Sequence, residues 1–236
     1  MKAATWLELT RTGHGCTWPV RKGRLDMSAK IQERIDAYAF FVNLFMKLPD
    51  EDFAKAVLDE AAEEATTGEP DAAEKAFLSF KNENVGRDIA DVLLDLSIDR
   101  TQLLRGVRED GIRQPYESLY TDAKTESSCL AIVQAYKASG LGISEATRES
   151  PEYLGCEMGF MLELCLRELA AIEAADPVAA AHAHTAQADF FVGHLGRWAG
   201  KYASAMVEFA RTGFYKGVGF LLADFIEEEH LQFSAE

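Results

Sequence analysis

The sequence predicts an all-α protein, and three observations carry that prediction. Apolar residues recur three and four positions apart along almost the whole chain. No stretch alternates apolar and polar residues between hairpin signals, as a half-buried strand would. Glycine, proline and small polar residues interrupt the helical spacing at TTGEPD (66–71), REDGIRQPYESLYTD (108–122), SGLGISEATRESP (139–151) and AADPV (174–178), with no repeating period between the breaks. At 236 residues and 48% hydrophobic content, the chain can bury a sizeable core.

The elements follow in chain order. Ile31, Ile35, Tyr38, Val42 and Phe45 mark the first helix, with Ser28 as its expected N-cap. Asp50 caps a second, which carries Phe53, Val57 and Leu58. Further helices are expected near Val85–Leu96, Glu126–Lys137, Pro151–Ala174, Phe190–Ala210 and Phe214–Glu229. Pro151 lacks the N–H that a first helical turn leaves unpaired, so it should open its helix, with Glu152 in the first turn near the positive end of the dipole.

Residues 1–26 stand apart. They lack helical periodicity and carry Lys2, Arg11, Arg21, Lys22 and Arg24 against Glu8 and Asp26. They also lack the apolar core of a secretory signal. They are read as a loose N-terminal extension or a mis-assigned start, with the folded domain spanning 27–236. The extension's net charge of +3 leaves −18 on that domain out of a total of −15, a balance that repels nucleic acid and anionic membranes. No run of apolar residues is long enough for a membrane span.

Chemistry-bearing motifs are scarce. Cys16, Cys129, Cys156 and Cys165 form no CxxC pair, so neither a zinc site nor a disulfide framework follows; with no export signal, a cytoplasmic location is expected. A di-iron bundle needs two Glu-x-x-His motifs, and only Glu227–His230 fits. His182 and His184 point about 200° apart on a helix, which suits solvation rather than joint ligation. His194 interrupts an apolar stripe of Phe191, Leu195, Trp198 and Tyr202 and reads as a hydrogen-bonded histidine at the core's edge. Phosphate-cradling glycine motifs are absent, and Ser118 lacks the strained turn of a nucleophile elbow. No cofactor, metal or catalytic residue is expected.

What remains is recognition. The connections 108–122 and 139–151 are long for a compact bundle, and long ordered loops tend to be functional. The first contains QPYESLYTD, rich in tyrosine and carboxylate where a plain connector would be small and polar.

These segments carry a resemblance. DRTQLLRG (99–106) followed by QPYESLYTD, then SPEYLGCEMGFM (150–161), FFVGHLGRW (190–198) and FYKGVGFLLADFIEEE (214–229), resemble in order and spacing the TorD/DmsD/NarJ family of molybdoenzyme maturation chaperones. The similarity runs from about Met27 to Glu229. It implies a single-domain all-helical bundle of the TorD-like type, in the cytoplasm, with no catalytic residues. The implied partner is a molybdenum-cofactor oxidoreductase, whose twin-arginine leader peptide is bound during cofactor insertion and before export.

Carried over by position, the leader-binding residues would be Leu103, Leu104, Pro115, Tyr116, Glu117, Tyr120, Pro151, Glu152 and Tyr153. Two departures stand out. Arg100 and Leu104 replace an aromatic residue and a phenylalanine common in the first motif, and Glu152–Tyr153 replaces Asp-His. The alternative is a helical scaffold or regulatory protein that binds a partner's helix. A homodimer formed by domain swapping through 139–151 is feasible for such an architecture.

Overall fold

The computed structural model describes residues 27–60, 70–106, 111–122, 125–142 and 149–234. The expected extension 1–26, and Cys16 within it, lie outside them. The described chain is all-helical: α1 (Met27–Met46), α2 (Glu51–Glu60), α3 (Ala72–Asn84), α4 (Ile89–Arg105), α5 (Glu117–Tyr120), α6 (Thr125–Ala138), α7 (Leu154–Glu173), α8 (Pro177–Gly193), a 3-10 turn (Leu195–Arg197), α9 (Ala199–Phe209) and α10 (Gly213–Ser234). Contacts group these elements into two compact units. The first holds α1 and residues 116–198; the second holds residues 47–115 and 199–235.

In the first unit α7 packs against both α1 and α8. A helix covered on two sides must be apolar on two faces, and Met158, Met161, Leu162, Leu164 and Cys165 of α7 are all buried. The Phe160 ring lies 4.5 Å from Tyr136 of α6 and 4.6 Å from Phe190 of α8. Asp176 caps α8 by accepting from Val178 and Ala179 N–H, and Pro177 occupies the first turn, where no donor is lost.

In the second unit α10 packs against α9 and α3. Phe214 lies at the centre of an aromatic group, within 5.5 Å of Phe53, 5.9 Å of Phe77 and 6.0 Å of Phe80. The approach of α3 to α10 depends on missing side chains: a Cβ at Gly217 would fall 2.6 Å from the Phe77 ring, and one at Gly213 would collide with the Ala76 carbonyl.

The start of α10 is fixed by Asp99, a buried residue of α4. Its carboxylate accepts from Arg211 N–H (3.1 Å), Thr212 N–H (2.7 Å) and the Thr212 hydroxyl (2.7 Å). That hydroxyl accepts in turn from Tyr215 N–H at 3.3 Å, so one carboxylate secures the N-cap that secures the helix.

The helices differ from the sequence reading in several places; α8, for one, begins at Pro177 rather than near Phe190. α1 already includes Ser28, so that serine is not its cap. α3 was not anticipated; it starts at a capping box in which Asp71 and Glu74 each accept from the other's backbone N–H at 2.9 Å. The helix expected from Val85 begins instead at Ile89, behind a turn with Gly86 at φ +75° and the cap Asp88.

The helix expected over Phe190–Ala210 is broken between Gly193 and Ala199. There Gly196 lies so close to Phe191 that a Cβ would fall 2.7 Å from its ring. Pro151 and Glu152 form a turn ahead of α7 rather than its first turn. Asp50 caps α2 as expected, accepting from Phe53 N–H at 2.8 Å.

The Asp99 arrangement generates a prediction. Asp99→Asn keeps the size of the side chain but removes its charge and turns one of the two accepting oxygens into an NH2 that cannot accept from the backbone N–H groups, so it should cost roughly 2–4 kcal/mol. Urea denaturation measures it, and a loss within about 0.5 kcal/mol of zero, the range of an ordinary surface change, would contradict the assignment.

Candidate functional site

The two loops singled out by the sequence meet in the first unit. Tyr116 and Tyr153 form an isolated antiparallel bridge, and Glu117 N–H donates to the Glu152 carbonyl at 3.1 Å. The two tyrosine rings lie 5.5 Å apart. Each tyrosine also ties down another segment: Tyr116 hydroxyl donates to Glu149 at 2.9 Å, and Tyr153 hydroxyl donates to the Phe45 carbonyl at 2.9 Å. The Phe45 carbonyl belongs to the last turn of α1, where helical acceptors lack intrahelical donors.

α5 is a single turn that cannot hold itself together, since one turn fixes many dihedrals for few bonds. Its own N-cap, Tyr116, supplies no side-chain bond. Glu152 supplies it from the facing loop: its two carboxylate oxygens accept from Ser118 N–H and the Ser118 hydroxyl, both at 3.0 Å. On the same turn Glu117 Oε2 lies 3.0 Å from His194 Nδ1, and the Tyr120 ring stacks on Trp198 at 5.7 Å. His194 is therefore the hydrogen-bonded histidine that the sequence suggested.

A third carboxylate joins these two. Glu157, on the first turn of α7, accepts from the Trp198 indole N–H at 3.2 Å through Oε2. Its Oε1 is buried with no hydrogen-bond partner among the described residues. Glu117, Glu152 and Glu157 are 1%, 2% and 0% exposed, so these acids are withdrawn from water rather than arrayed on a surface.

Burial chiefly, then the Glu117 charge, pushes the Glu157 carboxyl well above the usual range; Glu152 adds to this and the Trp198 N–H opposes it. Burial and the neighbouring carboxylates thus favour the protonated form of Glu157. The Tyr136 phenol, which donates to the Pro151 carbonyl at 3.1 Å, is pushed up by burial and then by Glu157, Cys156 and Glu117. Burial, Glu149 and Glu157 hold the Cys156 thiol at about 12, far from a reactive thiolate.

Six of the nine residues expected from the resemblance lie in this unit: Tyr116, Glu117, Tyr120, Pro151, Glu152 and Tyr153. Tyr116, Tyr120 and Pro151 are half-buried, and the other three are buried. Leu103, Leu104 and Pro115 belong to the second unit, where all three are buried. Sequence reasoning missed Ser118, Tyr136 and Glu157 as members of the site. It also placed His184 in solvent, whereas its Nδ1 lies 3.1 Å from buried Glu168.

The arrangement offers aromatic faces and carboxylates. Among the described residues no group of His, Cys, Asp and Glu has the geometry to hold a metal ion, and no helix is long and apolar enough to cross a membrane.

The family model described as "Nitrate reductase delta subunit" matches residues 56–204, more than half of the chain and all of the paired loops. The chain belongs to that family. Its members are molybdoenzyme maturation chaperones of the NarJ/TorD-like type. A search of curated proteins finds no match. The nitrate reductase delta family is a family of chaperones.

Glu157 makes the stability of this delta-family chain pH-dependent. An unfolded glutamate titrates near 4.5, whereas the folded chain keeps the proton to higher pH. Over that interval the folded state binds more protons, so stability falls as pH rises, by up to about 1.4 kcal/mol per pH unit. Glu157→Gln should remove this slope, and urea denaturation between about pH 5 and pH 8 should show the variant gaining on wild type as pH rises. A difference that does not change with pH would contradict the burial of an ionisable Glu157.

Proposed function

We propose that the protein is a cytoplasmic chaperone that binds the twin-arginine leader, or the corresponding N-terminal segment, of a molybdenum-cofactor oxidoreductase and holds it during cofactor insertion and assembly, before export. Membership of the delta-subunit family supports the client class. The observation that carries the peptide reading is the pairing of two loops that present half-buried Tyr116, Tyr120 and Pro151 beside three buried carboxylates. An arginine-containing leader with an apolar stretch matches both halves of that chemistry: guanidinium suits carboxylates and aromatic faces, and the apolar stretch suits tyrosine rings.

Glu117 and Glu152 have two roles in this reading. Without a leader they hold the loops together through His194 and Ser118; with one they are acceptors available to its arginines once α5 shifts. Leu103, Leu104 and Pro115 take no part in this proposal.

The test is titration with a synthetic peptide bearing two consecutive arginines followed by an apolar stretch, read by calorimetry and by Trp198 fluorescence. A control peptide carries glutamine in place of both arginines. The arginine peptide should bind at least about tenfold more tightly, roughly 1.4 kcal/mol. Equal binding of both peptides, or binding of neither, would overturn the proposal.

A further inference from the structure

Glu157 is a buried acid that the hydrogen bonding of the site leaves half used. Glu117 has His194, and Glu152 has both donors of Ser118. Glu157 has the Trp198 indole on Oε2 and, among the described residues, no partner on Oε1, although the side chain is completely buried. An unpartnered buried oxygen is costly, and native structures retain few of them.

The groups that face Glu157 come from several segments. Glu117 is on α5, Glu152 precedes α7, Tyr136 is on α6, Cys156 is its neighbour on α7, and Trp198 follows the 3-10 turn; His194, ahead of that turn, faces Glu117. Two of these are carboxylates, and among the described residues no lysine or arginine acts on Glu157. A third negative charge beside Glu117 and Glu152 is therefore unfavourable unless a cation enters with it. The carboxylates lack a metal-holding arrangement. A planar guanidinium fits better, because it can bond a carboxylate edge while lying on an aromatic ring such as Trp198.

Resting on the leader-binding reading above, we propose that the cluster exchanges a proton for a cation: a leader guanidinium takes Oε1 of Glu157 as its acceptor, and the Glu157 carboxyl releases its proton to solvent. No covalent bond is made or broken apart from that O–H, and the charge entering as arginine balances the proton that leaves. The route in is α5, a single turn held by the Tyr116–Tyr153 bridge and by Glu152, whose Tyr120 covers the Trp198 ring. The chaperone would then hold its client more tightly at higher pH and discharge it on acidification.

The experiment is calorimetry of the arginine peptide, blocked at both ends and free of other titratable side chains, in buffers of different ionisation heat from about pH 6 to pH 8. Arginine keeps its proton throughout, so protons released to buffer come from the protein. Wild type should release a net fraction approaching one proton per peptide, with affinity rising by up to about tenfold per pH unit. Glu157→Gln should abolish the release.

An infrared carbonyl band of a protonated carboxylic acid, present at neutral pH in the free wild type and lost when peptide binds, reports the same event without a variant. Trp198→Phe removes the N–H that favours the ionised form, and should move the proton release to higher pH. Binding without proton release, or release unchanged in Glu157→Gln, overturns the exchange and leaves the leader reading standing. Absence of peptide binding overturns both.

Discussion

Three carboxylates buried in one helical unit are the constraint around which the paired loops are organised. A lone buried charge is prohibitively unfavourable, so each acid needs a local solution. Glu152 takes the two donors of Ser118 and in doing so caps a helix too short to stand alone. Glu117 takes His194 across the break in the helical run, and Glu157, held well above the ordinary carboxyl range by burial, meets the Trp198 indole. Each solution ties together segments distant in sequence. The bridge between Tyr116 and Tyr153 is thus one part of a polar lattice and not an isolated pair of backbone bonds.

The second unit uses a buried acid differently. Asp99 spends its acceptors on backbone and hydroxyl donors at the start of α10, which fixes that helix end beside the Phe214 ring group. That carboxylate is fully occupied by permanent partners. Glu157 is not, and the contrast separates an acid that builds the fold from one with capacity left for a ligand.

The helical class was legible because apolar periodicity is a local property. The two loops that pair were legible as well, since their length and their tyrosine and carboxylate content depart from ordinary connectors. Local competition explains several misses. The capping box at Asp71 and Glu74 sits directly after TTGEPD, and the punctuation masked the helix start that follows it. At 193–198 the apolar stripe of Phe191, Leu195, Trp198 and Tyr202 kept a helical spacing, and all four are indeed buried, while the backbone beneath them breaks at glycine. Glu157 was not legible: its indole partner is 41 residues away, and its acidic neighbours come from separate segments. Nothing in GCEMGFM distinguishes it from an acid on a solvated helix face.

Family membership and site geometry support each other without being the same statement. The family gives a chaperone of molybdoenzyme maturation, and the geometry supports the proposal that the paired loops hold an arginine-bearing segment. The most direct test of that place is photo-cross-linking of a leader peptide with a photoreactive residue beside its arginines, followed by mass spectrometry. The account predicts cross-links within residues 116–122 and 149–157, the two paired segments of the first unit. Cross-links that avoid both segments, from a peptide that binds, would contradict it.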